Sequence, residues 1–376
     1  MKRLVRNLKF LIQAPFKNLS RFISILFKTN IQTGPILAAV SLTSTCHTHC
    51  LMCWYHSPLM KQDDDYNNFN LELSYNVVKQ LLIDLKDIGV KRLFISGEGE
   101  PFNHPDIKKI LKLIKQLKFE FFMITNITNL SPEKADLLFD SGLIGAEIST
   151  HASSFETYKK IYPVLNEKFF ELGKTGLKRL IELRNKFGYP RIELIHAICK
   201  QNIDDLENII KDAVNFNIDK LTLKRGLFNS QLRSQLEPDP EQFTKAFDVL
   251  TRYKDIKIKN NFVEFALSIK SDSFDSFKEQ VEIDTIQGGG EVDNYRFCYI
   301  PYLTTNILAD GLVLSCNYDP FAVRAGNINY KSFKEIWFSH KYQAYRKQRK
   351  CRACLALSTY PYMNGIRKIT KITNNF

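Results

Sequence analysis

The 376-residue chain contains no uninterrupted apolar run of about 18 residues, so nothing in it reads as a membrane-spanning helix. Its first 34 residues lack the short apolar block and small-residue cleavage site of a secretory signal. Cysteine is too scarce for a disulfide scaffold: there are eight, clustered rather than spread. These absences predict a reducing cytoplasm and point to metal instead of disulfides. No internal repeat is present. Gly288–Gly290 has no following Lys-Ser/Thr and helix, which makes it a flexible joint and not a phosphate loop. Asp63–Asp65 lacks calcium-loop spacing and reads as a solvated loop.

Residues 1–34 have no acid at all, yet hold Lys2, Arg3, Arg6, Lys9, Lys17, Arg21 and Lys28 out of a formal charge of +13. Phe16, Leu19, Phe22, Ile23, Leu26 and Phe27 recur there at helical spacing opposite the basic residues. Such a helix suits peripheral contact with an anionic inner membrane face, or packing on the protein's own body. No nucleic-acid-binding module accompanies the charge, so no nucleic-acid partner is expected.

With 44% apolar residues the chain can bury a sizeable core. From Ile36 onward, apolar runs alternate with helical periodicity, the pattern of β-α units on a parallel sheet. The strands are "ILAAVSL", "KRLFIS", "FEFFMIT", "GAEIS", "RIELIHAI" and "KLTLKR". Helix signals lie between them: Ser74 as a cap with Gly89 as a stop, Ser131-Pro132-Glu133 as an opening, and Ser153 with Glu156 as a capping box. The expected fold is α/β, a partial (β/α)6 TIM-like barrel over 35–226. A basic extension (1–34) precedes it, and a connector or lid (227–297) and a small α+β domain (298–376) follow. Chemistry on such barrels sits just after the strands.

"CHTHCLMC" follows the first strand. Cys46, Cys50 and Cys53 in eight residues favour zinc or an iron–sulfur cluster, and His47, His49 or His56 would complete a zinc site. "SGEGEP" (96–101) follows the second strand, in phase with the cysteine loop. Cys-x3-Cys-x2-Cys followed by Gly-x-Gly-Glu-Pro resembles the radical S-adenosylmethionine (radical SAM) superfamily over roughly residues 36–226. The resemblance implies that Cys46, Cys50 and Cys53 bind a [4Fe-4S] cluster whose fourth iron takes SAM. It further implies that Gly97, Gly99 and Glu100 line the SAM methionine, with Ser149 as a ribose contact and Asn202 as a second one. Met52 stands where many members have an aromatic residue beside the adenine.

Cys298, Cys316, Cys351 and Cys354 form a second set. "NILADGLVLSC" reads as a hairpin with a primed Asp-Gly turn, and Ser332 with Glu335 opens a helix through "FKEIWFSHKYQAYRKQ". Two plus two cysteines also fit a zinc ribbon. The arrangement is similar to the SPASM and twitch domains of radical SAM enzymes, in the single-cluster twitch form. That resemblance implies one auxiliary [4Fe-4S] cluster, ligated entirely by protein and used for electron transfer. Cys199, after the fifth strand, becomes a candidate hydrogen-atom donor.

The implied activity is SAM cleavage to a 5′-deoxyadenosyl radical and hydrogen abstraction, leading to dehydrogenation or epimerisation of a sugar, aminocyclitol or lipid-linked glycan. Peptide modification and a non-catalytic zinc-binding interaction protein are the alternatives. A flavodoxin or ferredoxin is the implied electron donor.

Overall fold

The computed structural model describes residues 20–21, 23–25, 27–53, 55–60, 70–226, 228, 230–253, 257–258, 261–262, 264–265, 296–297, 300–316, 324–348 and 350–351. Six strands, β1 (Leu37–Val40), β2 (Arg92–Ile95), β3 (Glu120–Asn126), β4 (Leu143–Ser149), β5 (Arg191–Ile198) and β6 (Lys220–Arg225), lie side by side in sequence order, all parallel. Helices α1 (Tyr75–Asp87), α2 (Ile107–Gln116), α3 (Pro132–Asp140), α4 (Phe155–Ile161), α5 (Glu167–Phe187) and α6 (Leu206–Asn215) connect them. This is the partial TIM-like barrel.

Alternation along the strands separates two faces. Leu93, Ile95, Phe121, Met123, Ala146, Ile148, Ile192, Leu194, Leu221 and Leu223 are buried in one apolar core with Leu81, Leu85, Ile110 and Ile114 of α1 and α2. The four buried side chains of α2 (Ile107, Ile110, Leu111, Ile114) each contribute about 1.5–3 kcal/mol. That burial explains why so basic a helix holds its place.

The C-terminal segment is built into the same sheet. β7 (Thr304–Ile307) pairs parallel with β1, and β8 (Leu312–Leu314) and β9 (Arg324–Asn327) extend it antiparallel. Part of the connector also joins, because Glu264–Phe265 pairs parallel with β6. Its first two helices, α7 (Ser230–Leu236) and α8 (Pro240–Arg252), dock on the loop after β5: Lys200 N–H donates to Leu236 O, and Gln242 Nε2 to Lys200 O.

Three local expectations change. Ser154, not Ser153, caps α4 by accepting from Thr157 N, because Asp205 captures the Ser153 amide (2.7 Å) and hydroxyl (2.9 Å). The hairpin turn is not of the primed type, since Gly311 is left-handed and Asp310 is not; Gly311 N–H closes a turn on Leu308 O, a type I turn with a glycine bulge. The long C-terminal helix is two, α9 (Phe333–Phe338) and α10 (His340–Gln348), broken at an extended Ser339 whose hydroxyl caps the second through Tyr342 N.

Of the N-terminal helix, Arg21 and Ile25 pack inward, with Arg21 donating to Gly34 O at 2.7 Å, while Ile23 and Phe27 face solvent. Phe16, Leu19, Phe22 and Leu26 lie outside the described residues. No helix among those residues is long and apolar enough to cross a membrane.

Candidate active site

The loop after β1 is closed at its neck, where Ser44 N–H donates to Leu71 O and Leu73 N–H to Leu42 O. His56 Nε2 meets Ser44 O at 2.8 Å, and Leu51 N–H donates to Ile161 O at the end of α4. Cys46, Cys50 and Cys53 face one another inside this loop, each with a donor on its sulfur. Thr48 Oγ1 lies 3.0 Å from Cys46, Asn126 Nδ2 lies 3.6 Å from Cys50, and the amides of Tyr55 and His56 lie 3.4 and 3.3 Å from Cys53. Burial pushes all three thiols up, and the neighbouring cysteines add to this at Cys46 and Cys50. Half-buried thiols with donors on their sulfurs suit thiolates held by metal, because the donors stabilise a charge that partial burial opposes.

The histidines serve the loop. His49 Nδ1 meets His56 O, and His47 Nδ1 meets the Asn103 amide. Among the described residues no three His, Cys, Asp or Glu side chains gather where one metal ion could sit.

The Gly-x-Gly loop lies against the segment leading into Cys46. Gly99 N–H donates to Thr43 O and Glu100 N–H to Thr45 O. Gly97 has φ +150°, and a Cβ there would lie 2.0 Å from Ser41 Oγ; one on Gly99 would lie 2.4 Å from Thr45 O. Only glycine permits this approach. Glu100 departs from expectation: its carboxylate is 3% exposed and accepts from Thr125 Oγ1 (2.7 Å), Asn126 N (2.8 Å) and Phe102 N (3.3 Å). It ties the loop to the end of β3 and turns no oxygen outward. Glu98, the variable residue of the motif, reaches the hairpin turn at Ala309 N.

Ser149 is half-buried at the end of β4, in register with Asn126 and Ile195. Asn202 is fully buried and engaged with protein: its Oδ1 accepts from Cys199 N, and its Nδ2 donates to His151 O and Ala197 O. A ribose contact by that amide finds no exposed atom. Cys199 is likewise sealed, packed with Phe228, Leu232 and Leu236, and burial pushes its thiol up to about 11. Met52 packs against that same apolar group.

The barrel's inner face carries polar and charged groups along β4, β5 and β6. Glu147, Glu193 and Lys220 occupy one cross-strand row, and Asn126, Ser149, Ile195 and Thr222 the next row toward the cysteine loop. Lys220 Nζ pairs with Glu193 at 3.0 Å, and Thr222 Oγ1 donates to the same carboxylate. Burial, then Glu193, raise Glu147 to about 7 against the pull of Lys224, Lys220 and Arg191. Sequence reasoning missed Asn126, Glu98 and Glu147. The first ends a strand as Ser149 does, Glu98 is the unspecified middle residue of the Gly-x-Gly motif, and Glu147 belongs to no motif.

Of the second cysteine set, Cys316 follows β8 and is half-buried on the core. Cys351 pairs through its backbone with Arg296, two residues before Cys298. Cys298 and Cys354 lie outside the described residues.

A partial barrel with a three-cysteine loop over a polar chamber defines a cofactor-dependent barrel enzyme. Residues 40–213 match the radical SAM superfamily and residues 298–355 the SPASM iron–sulfur cluster-binding domain. The chain belongs to the radical SAM superfamily and carries a SPASM domain; its cofactors are [4Fe-4S] clusters and SAM. It is 24% identical to the AdoMet-dependent heme synthase of Methanosarcina barkeri over 340 residues, covering 85% of this chain and 88% of that one. It is also 24% identical over 326 residues to the tungsten-containing aldehyde ferredoxin oxidoreductase cofactor-modifying protein of Pyrococcus furiosus, covering 82% of each. Its fold is similar to that of Streptococcus suis SuiB bound to the precursor peptide SuiA, at TM-score 0.57 and 15% identity, covering 90% of this chain and 72% of that one.

Proposed function

We propose that this radical SAM enzyme dehydrogenates a polar, hydroxylated substrate such as a sugar, aminocyclitol or lipid-linked glycan, held in the barrel chamber. The supporting observation is the inner face, where Glu147, Glu193, Lys220, Thr222 and Ser149 offer charged and hydroxyl groups under the cysteine loop. In this reading Cys46, Cys50 and Cys53 hold the SAM-binding cluster, the backbone of Gly97 and Gly99 receives the methionine, and Ser149 the ribose. Cys298, Cys316, Cys351 and Cys354 would hold the auxiliary cluster, which would take the electron that the substrate gives up along with its proton. When bound, SAM on its cluster supplies a 5′-deoxyadenosyl radical that removes a substrate hydrogen atom.

The chain's own residues then orient the substrate and manage its proton. Glu147 is suited to accept that proton, because a carboxyl that titrates near neutrality both takes and releases it at working pH. The sealed Cys199 favours dehydrogenation over epimerisation, since a hydrogen-atom donor must touch the substrate and this thiol is covered by α7.

The test is anaerobic reconstitution followed by reduction with SAM and a panel of deuterated saccharides and peptides. About eight irons per chain, four per cluster, and deuterium transfer from a saccharide into 5′-deoxyadenosine are expected. Transfer from peptides alone overturns the substrate class.

A further inference from the structure

Two buried hydroxyls beside the cysteine loop have no hydrogen-bond acceptor among the described residues, and the Asn126 amide approaches the Tyr162 oxygen only as a donor. Tyr158 and Tyr162, four residues apart at the end of α4, are 1% and 0% exposed, and neither phenolic oxygen makes a hydrogen bond of ordinary geometry among the described residues. Leaving a buried hydroxyl unmet costs about 1–3 kcal/mol, so two adjacent ones call for a missing acceptor. Their surroundings indicate which. Cys50 packs against the apolar group that contains both rings, and the adjacent Leu51 is bonded to Ile161, between the two tyrosines. Both hydroxyls lie within electrostatic range of Cys50, and Tyr162 within range of Cys46 as well. Asn126, beside the Tyr162 hydroxyl, already donates to Cys50 Sγ.

We infer that Tyr162, with Tyr158 behind it, donates its hydroxyl to a sulfide of the cluster that Cys50 would hold and thereby raises the reduction potential of the SAM-binding cluster. This rests on the reading of Cys46, Cys50 and Cys53 as ligands. Reduction adds one electron, delivered by an external reductant, and makes the sulfurs more negative. A fixed O–H dipole aimed at them stabilises the reduced state more than the oxidised one. No proton is transferred, and burial keeps both phenols protonated by raising them above the ordinary tyrosine value. The rival acceptor is a water. A cavity of about 20 Å³, lined by both tyrosines with His151, Lys174 and Asp212, has room for one.

Tyr162→Phe removes one oxygen and keeps the ring, so the test is a dithionite-mediated redox titration of the reconstituted full chain followed by electron paramagnetic resonance. The SAM-binding cluster is recognised by its spectral change when SAM is added. Wild type should hold that cluster at the higher potential, with the variant's ratio of reduced to oxidised cluster at a fixed poise lower by about tenfold, 59 mV for a one-electron couple. Tyr158→Phe, the second variant should the first not fold, shifts in the same direction by less. An unchanged midpoint in a SAM-responsive variant overturns the inference and leaves the water as acceptor. A wild-type chain with no SAM-responsive cluster overturns the ligand reading itself, and the inference with it.

Discussion

Glu98 Oε2 accepts a hydrogen bond from the backbone N–H of Ala309 at 3.2 Å, joining the loop after β2 to the hairpin turn of the iron–sulfur domain. Ser41 completes the contact: its hydroxyl lies 3.3 Å from that oxygen and accepts the Glu98 amide at 3.3 Å. Glu98→Ala leaves the Ala309 amide unpaired and detaches the Gly97–Gly99 loop, the proposed SAM-binding loop, from the domain behind it. A charged hydrogen bond is worth about 1.5–3 kcal/mol, so the Kd for SAM should rise about tenfold. Equilibrium dialysis of labelled SAM against protein of unchanged iron content checks this; an unchanged Kd disconnects the hairpin from the loop.

Gly99→Ala is expected to be harsher. Its new methyl would meet Thr45 O at 2.4 Å and Ser44 C at 2.5 Å, both backbone atoms that no rotamer change can move. The loop must back away from the cysteine segment, and a displacement of about 1 Å costs catalysis about 10²-fold. Production of 5′-deoxyadenosine under reducing conditions measures the loss, with iron content as the control for folding. Full activity would mean that the close approach has no bearing on SAM.

Glu147 offers a pH test that needs no substrate. Burial above all pushes it up to about 7 from the ordinary glutamate value of 4.5, so the fold binds its proton more tightly than the unfolded chain does. That contribution is fully present below about pH 4.5 and is lost as pH rises through 7. Glu193 on β5 works with burial, whereas Lys220 and Lys224 on β6 and Arg191 on β5 oppose it. Glu147→Gln removes the ionisation and should stabilise the chain relative to wild type at pH 8.5 by on the order of 1–3 kcal/mol, with the gain fading near pH 5. Thermal melting of both proteins across that range decides it, and parallel curves would remove Glu147 as a neutral-pH group.

Much of this was legible in the sequence because it depends on local signals. Strand alternation, Ser74, Ser131 and Ser332 as caps, and the spacing of Cys46, Cys50 and Cys53 in phase with Gly97 and Gly99 all lie within a few residues of one another. What stayed hidden depends on chain segments that are far apart. Pairing of β7 with β1 joins residues over 260 positions apart, and no local pattern records it. Ser153 looked like a cap until Asp205, some fifty residues on, claimed its hydroxyl. Glu100 follows its motif, yet Thr125 and Asn126 decide that its oxygens turn inward.

Arg346 is another residue whose role only the fold reveals. It is fully buried, and its guanidinium lies 4.0 Å from the Trp337 ring and 3.8 Å from the Tyr342 ring. It donates to Pro301 O at 2.9 Å and Trp337 O at 2.8 Å, and no carboxylate among the described residues pairs with it. Burial lowers it to about 10, which leaves it charged at neutral pH. The cation therefore rests on two aromatic faces and two carbonyls, binding α9, α10 and the turn before β7 together. Arg346→Lys keeps the charge but not the planar fork that reaches both carbonyls, and should cost about 3 kcal/mol. The damage should be local, because α10 leads directly to Cys351. Iron content should fall from about eight toward about four per chain, while the remaining cluster still responds to SAM. Loss of both clusters together, or of neither, would separate this aromatic clamp from the auxiliary centre.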